Sequence, residues 1–247
     1  MVTEAIILAG GLGTRLRSAV PDLPKAMAPV NGRPFLEYLL RFLENNCIER
    51  VVLAVGYRSE AIRKHFGLRW EGLELSYSIE DEPLGTGGAL VEAIGQVRGQ
   101  WAFALNGDTF LGLDYQHMAA ALERCPDATL AVALRRVSDT SRYGAALVAG
   151  GRVLGFSARG TRSEGLINAG TYLIRREICE RYSLTGKFSW EQDFLEPRAA
   201  QVRPLAFECD AHFIDIGIPE SLEQAQTLVP DWIAQTNVKP SLRSSRN

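Results

Sequence analysis

Thr3-Glu-Ala-Ile-Ile-Leu-Ala9 runs directly into Gly10-Gly11-Leu12-Gly13-Thr14-Arg15, and this junction decides the fold. An apolar run of this length bounded by glycines reads as a central parallel strand covered on both faces. In an open α/β sheet, ligands bind beyond the carboxyl ends of such strands. Glycines there let backbone N–H groups approach an anion closely. Arg15 adds a planar, bidentate phosphate donor, and Lys25, behind Pro24, adds a point charge. A tight turn carrying a surface Arg and Lys is the bland alternative. Two other phosphate motifs fit poorly. The Walker pattern needs Gly-Lys-Ser/Thr where Thr14-Arg15 stands, and the dinucleotide fingerprint needs a third glycine in place of Leu16.

Outward from this loop, strands and helices alternate. Helices are predicted over Pro34 to Asn46, Ser59 to Phe66, Gly87 to Val97 and Tyr115 to Arg124. Strands are predicted over Arg50 to Val55, Leu73 to Ile79, Trp101 to Leu105 and Ala128 to Arg135. That alternation implies a doubly wound, mostly parallel sheet, a Rossmann-like α/β fold. From Gly144 to Ile174 the pattern changes to strands separated by glycines, which predicts a small β-rich insertion beside the site. A helix near Trp190 to Ala199, a strand at Phe213 to Ile216 and a helix from Pro219 to Leu228 complete the chain. Residues 1–235 are expected to form one domain and 236–247 a loose polar tail.

The 247 residues carry 27 basic and 29 acidic side chains, so no global basic field of the nucleic-acid-binding kind is expected. An anionic small molecule must then be held by a few placed cations. No stretch approaches a transmembrane span, and Met1 to Glu4 lacks the basic segment of a signal peptide. Cys47, Cys125, Cys179 and Cys209 are scattered, which favours reduced thiols and a cytoplasmic location.

Two carboxylates end buried strands far apart in the chain: Asp108 in Leu105-Asn-Gly-Asp-Thr109, and Asp215 in Phe213-Ile-Asp-Ile-Gly217. Two such residues can meet at one hard cation. Taken singly, Asp108 reads equally well as a turn residue and Asp215 as a helix-capping residue before Pro219. His212 reads as structural, and no role is assigned to His65 or His117.

Leu8-Ala-Gly-Gly-Leu-Gly-Thr-Arg-Leu16, continued by Pro24-Lys-Ala-Met-Ala-Pro-Val30, resembles the signature of the sugar-phosphate nucleotidylyltransferases. The resemblance extends to about Leu228. It implies that Arg15 and Lys25 neutralise a triphosphate in the transition state, and that Asp108 and Asp215 hold Mg²⁺. It also implies a nucleotide cradle formed by Leu8, Ala9, Gly10, Gly11, Gly13 and Thr14, with Gly85 and Thr86 against the base. Tyr143-Gly144 and Asn168-Ala169-Gly170 resemble the family's sugar-phosphate contacts. Many relatives carry Glu-Lys where Ala158-Arg159 stands, so Arg159 replaces the cation while the acid is missing.

Phe188-Ser-Trp-Glu-Gln-Asp-Phe194, with Leu16-Arg-Ser18 and Asp215-Ile-Gly-Ile-Pro-Glu220, is similar to the D-glycero-D-manno-heptose 1-phosphate guanylyltransferases. Ser189 reads as a helix cap, and Glu191 and Asp193 as acceptors for sugar hydroxyls. This similarity implies GTP and a heptose 1-phosphate as substrates, GDP-heptose and pyrophosphate as products, and supply of bacterial surface polysaccharide. It implies no nucleic-acid or membrane partner and leaves room for a homo-oligomer. The alternatives are another sugar 1-phosphate nucleotidyltransferase, such as one using mannose 1-phosphate, a nucleotide-sugar-dependent glycosyltransferase, or a non-enzymatic nucleotide-sugar sensor.

Overall fold

A computed structural model describes residues 1–11, 23–160 and 162–236. The first half follows the alternation in the sequence. Strand β1 (Glu4–Leu8) is followed, beyond a short 3-10 turn at Lys25–Met27, by a small hairpin of β2 (Pro29–Val30) and β3 (Arg33–Pro34). Then come α1 (Phe35–Asn45), β4 (Arg50–Val55), α2 (Ser59–Phe66), β5 (Arg69–Trp70), β6 (Leu73–Ile79), α3 (Gly85–Ile94) and β7 (Trp101–Asn106). The second half comprises β8 (Thr109–Leu111), α4 (Tyr115–Glu123), β9 (Leu130–Val137), β10 (Ala146–Ala149), β11 (Arg152–Phe156) and β12 (Gly165–Arg175). After these come α5 (Ile178–Arg181), a π-helical turn at Trp190–Leu195, α6 (Glu196–Val202), β13 (Leu205–Cys209), β14 (Phe213–Asp215) and α7 (Pro219–Thr236).

Ten strands form one mixed sheet in the order β10-β11-β13-β9-β12-β7-β1-β4-β6-β5. Strands β7, β1, β4 and β6 are parallel, with Leu8 level with both Ala54 and Asn106. The sheet is doubly wound because successive residues of its strands feed two cores. Ala5 and Ile7 pack under α1, α2, α4 and α7, whereas Ile6 packs under α3, α5 and α6. Burying an isoleucine such as Ile6 or Ile7 contributes roughly 1.5–3 kcal/mol.

The β-rich stretch after Gly144 extends this same sheet. Strand β12 enters it antiparallel to both β7 and β9. Strand β13, not read from the sequence, runs parallel to β9 and carries β11 on its far edge. The final helix also outruns the reading that ended it at Leu228. It continues through Pro230 to Thr236, because Leu222, Ala225, Val229 and Ile233 form one buried stripe. That packing offsets the hydrogen bond that Pro230 cannot donate.

At the amino ends of the parallel strands lies a buried ion pair. Glu4 accepts from Arg50 at 3.0 Å and from the backbone N–H of Arg98, while Arg50 also donates to Gln96 O and Ser76 Oγ. The carboxyl ends, at Leu8 and Asn106, open instead onto a cavity.

Candidate active site

The cavity measures about 480 Å³. One wall is the end of β1, where Leu8 and Ala9 lead into Gly10 and Gly11. Ala9 is tied to β4 through its N–H to Ala54 O at 2.8 Å. Gly13, Thr14 and Arg15 lie outside the described residues, as do Arg17 and Ser18. Lys25, at the start of the 3-10 turn, returns the chain to the cavity floor.

Asp108 and Asp215 meet there, and the reason is a two-stranded ribbon. Strand β8 follows Asp108 directly and pairs antiparallel with β14, setting Thr109 opposite Asp215. The Ile216 N–H then donates to Asp108 O at 2.9 Å. Lys25 Nζ is ion-paired with Asp108 and lies 3.9 Å from Asp215 Oδ1. Asp215 also pairs with Arg142 at 2.8 Å. Both carboxylates are hard oxygen donors, and among the described residues no cluster of three or more metal-binding side chains occurs. Two carboxylates fit an ion such as Mg²⁺ that takes its other ligands from phosphates and water.

The opposite wall is built around Glu191, which the π-helical turn presents inward. Such turns are frequent at functional sites. Glu191 Oε1 accepts from Tyr172 Oη at 2.9 Å and Asn106 Nδ2 at 3.4 Å, and Oε2 accepts from Thr86 Oγ1 at 3.1 Å. Tyr172 in turn accepts from Asn168 Nδ2 at 2.8 Å, and Asn168 Oδ1 accepts from the Gly170 N–H. Burial, reinforced by the Glu191 charge, pushes the Tyr172 hydroxyl well above its ordinary range, so it stays a donor. Asn168, Ala169 and Gly170 thus lie on the same side of the cavity as Glu191, joined to it through Tyr172.

The helix cap read at Ser189 is present. Ser189 Oγ accepts from the Gln192 N–H at 3.1 Å, and Asp193 accepts from the Ser189 N–H at 2.7 Å. That second bond corrects one expectation: Asp193 closes the cap and does not line the cavity. Gly144 does not line it either and lies one residue behind Tyr143, which does. Gly85 and Thr86 do line it, but Gly85 serves packing as well. A Cβ there would come 2.5 Å from Phe188 O, where the chain crosses the start of α3. The acid missing at position 158 has a spatial counterpart: Glu196 lies 3.7 Å from Arg159, and both face the cavity.

A model of the family described as nucleotidyl transferase matches residues 4–231 of the chain. This chain belongs to that family. Among its relatives, the D-glycero-alpha-D-manno-heptose 1-phosphate guanylyltransferase of Aneurinibacillus thermoaerophilus is 44% identical, with 93% of this chain and 100% of the relative covered. That of Campylobacter jejuni subsp. jejuni is 41% identical over 88% of this chain and 96% of its own. The crystal structure of HddC from Yersinia pseudotuberculosis complexed with GMP-PN superposes with a TM-score of 0.80. It is 36% identical, with 91% of this chain and 98% of that chain covered.

Arg142, Asn106 and Glu80 of this nucleotidyl transferase are among the polar cavity residues to which no motif in the sequence assigns a role. Arg142 carries no spacing signal, being one arginine among many. Asn106 stands two residues before Asp108 with no role of its own in the motif, and Glu80 lies in an acidic stretch, Glu80-Asp-Glu82, that reads as a solvated loop. Glu80 accepts from the Leu84 N–H at 2.8 Å, and burial raises its carboxyl above the ordinary value. His212, read as structural, stacks on Trp232 at 4.7 Å. Among the described residues no helix is long and apolar enough to cross a membrane.

Proposed function

We propose that this chain transfers GMP from GTP to D-glycero-α-D-manno-heptose 1-phosphate in the cytoplasm, releasing pyrophosphate and supplying GDP-heptose for surface polysaccharide. The observation that carries the chemistry is the meeting of Lys25, Asp108 and Asp215 at the end of β1, on the floor of one cavity. The heptose and the guanine rest on the 44% and 41% identical relatives and on the GMP-PN complex of the Yersinia protein.

In this reading an oxygen of the sugar 1-phosphate attacks the α-phosphorus of GTP. The bond from that phosphorus to the bridging oxygen breaks, and pyrophosphate leaves with the electron pair. The attacking phosphate is already an anion at neutral pH, so no general base is needed. The protein's work is alignment and charge neutralisation. Arg15 and Lys25 supply fixed positive charge to the phosphates. Asp108 and Asp215 would hold Mg²⁺, whose charge offsets that of the triphosphate when it is bound. Backbone from Leu8 to Thr14, with Gly85 and Thr86, cradles the nucleotide. Glu191, Asn168, Ala169, Gly170 and Arg159 address the sugar phosphate, with Gly144 shaping the loop behind Tyr143. A wall that hydrogen-bonds a hydroxyl rejects an analogue lacking it far more strongly than a roomy wall does.

The test is pyrophosphate release with GTP, ATP, CTP and dTTP against the heptose 1-phosphate and mannose 1-phosphate. The highest kcat/KM is expected for GTP with the heptose. If mannose 1-phosphate matches or beats it, the heptose assignment fails and the transferase chemistry stands.

A further inference from the structure

The floor of the cavity holds more counter-charge than the reaction above uses. Every oxygen of its two carboxylates already has a donor from the protein. Asp108 Oδ2 takes Lys25, and its Oδ1 accepts from Thr109 Oγ1 at 3.1 Å. Asp215 Oδ2 takes Arg142 Nη2 at 2.8 Å, and its Oδ1 accepts from the Gly217 N–H at 2.6 Å. The backbone at Gly217 is pressed against the group: a Cβ there would come 2.7 Å from Asp215 Oδ1, 3.1 Å from Lys25 Nζ and 3.3 Å from Arg142 Nη2. Arg142 is further held by Ser221 Oγ at 3.4 Å and lies with its guanidinium 5.2 Å over the Tyr143 ring. Two unit negative and two unit positive charges therefore close on one another, with side chains 13% to 32% exposed.

A divalent cation at both carboxylates competes with the resident cations, because like charges a few ångströms apart in a half-buried site repel. We propose that Arg142 is a positioning residue that holds Asp215 in place of the metal and is exchanged for it. Metal entry at Asp215 releases the guanidinium, a bidentate phosphate donor, toward the phosphates in the cavity. The floor is neutral before the exchange and strongly positive after it, so attraction for a polyanion is gated by the metal. This inference rests on the assignment of Asp108 and Asp215 to a divalent cation.

Binding of Mn²⁺ to the purified, nucleotide-free chain, followed by the loss of the free-ion electron paramagnetic resonance signal, tests it. Arg142→Met should bind Mn²⁺ about tenfold more tightly than the unsubstituted chain, the order expected on removing one nearby unit charge. Arg142→Lys should stay close to the unsubstituted value. In assays, Arg142→Met should raise KM for the sugar 1-phosphate, so that metal affinity and substrate affinity move in opposite directions. A merely structural arginine would weaken both. Should Arg142→Met not fold, Arg142→Gln carries the same expected sign. Unchanged or weaker Mn²⁺ binding in a folded variant overturns the exchange. Asp215→Asn separates the two assignments. If it binds Mn²⁺ as the unsubstituted chain does, the metal assignment fails and takes the exchange with it. If it loses Mn²⁺ while Arg142→Met is indifferent, the exchange alone fails.

Discussion

Thr86 and Glu191 are hydrogen-bonded across 105 residues of sequence, Oγ1 to Oε2 at 3.1 Å, and the same hydroxyl accepts from the Trp190 N–H at 2.9 Å. One side chain at the start of α3 therefore fixes both the backbone and the carboxylate of the π-helical turn. It joins the side of the cavity assigned to the nucleotide to the side assigned to the sugar.

Replacing Thr86 with Val removes that hydroxyl at nearly constant volume. The buried Trp190 N–H then loses its acceptor, a cost of about 1–3 kcal/mol. Urea denaturation should show that loss, and kcat/KM should fall by about 100-fold as Glu191 shifts. Thr86→Ser should recover most of both. Full activity in a destabilised Thr86→Val would separate the hydroxyl from Glu191 positioning.

Lys25→Ala, Asp108→Asn and Asp215→Asn remove the charges on the cavity floor. Each should lower turnover by about 100-fold to 1,000-fold, the usual loss when one group stabilising transition-state charge is deleted. Circular dichroism should remain native in each. Arg15→Ala, at a position assigned from sequence alone, is expected to behave alike. Near-normal turnover in any one of them removes that residue from the mechanism.

Glu4→Ala is the contrasting case, because it breaks the buried pair with Arg50 at the far ends of the strands. Arg50 keeps its 3.3 Å pair with Glu74, but the Arg98 and Gly99 N–H groups lose their acceptor, so the change should cost about 3 kcal/mol in a denaturant titration, the lower end for a broken buried pair. Turnover per folded molecule should be unchanged, since the pair lies at the strand ends opposite the cavity. A large fall in kcat with no loss of stability would contradict this division of the sheet.

Glu80 gives a pH dependence whose sign follows from burial. Desolvation raises its carboxyl above the ordinary value of 4.5, with the Leu84 N–H pulling the other way and Glu92 adding a smaller push upward. A carboxyl raised in the folded state adds stability below its unfolded value and loses it as pH rises through the folded value. Glu80→Gln, which does not ionise, should therefore gain Tm relative to the unsubstituted chain between about pH 4 and pH 7. A difference in Tm that is flat or shrinks over that interval would refute the burial effect.

Much of this architecture is legible in the residues because long-range packing and local pattern agree there. The runs that became β1, β4 and β7 are apolar on both faces, which only a covered parallel strand tolerates. Asp108 and Asp215 could be singled out because each ends a strand, and Lys25 because it follows Pro24 behind the glycine loop. Strand β13 could not, since Leu205 to Cys209 is short and only half-buried and gains its identity by pairing with β9. The continuation of α7 past Pro230 was hidden for the opposite reason: a strong local breaker is overruled by a buried stripe that only the folded chain reveals. Arg142 gave no signal, because what distinguishes it is its contact with Asp215, 73 residues away.

The ribbon of β8 and β14 has a consequence for the order in which the molecule can be made. A chain emerging from the ribosome presents Asp108 more than a hundred residues before Asp215, and domains fold from the amino terminus as they appear. β11 likewise waits for β13, its link to the rest of the sheet. A nascent chain that stops short of β13 and β14 can bury β1, β4 and β7 yet has neither a finished sheet nor a paired set of carboxylates. Under the proposed function, the half-made molecule would thereby be kept from gathering metal and triphosphate before the fold around them is closed.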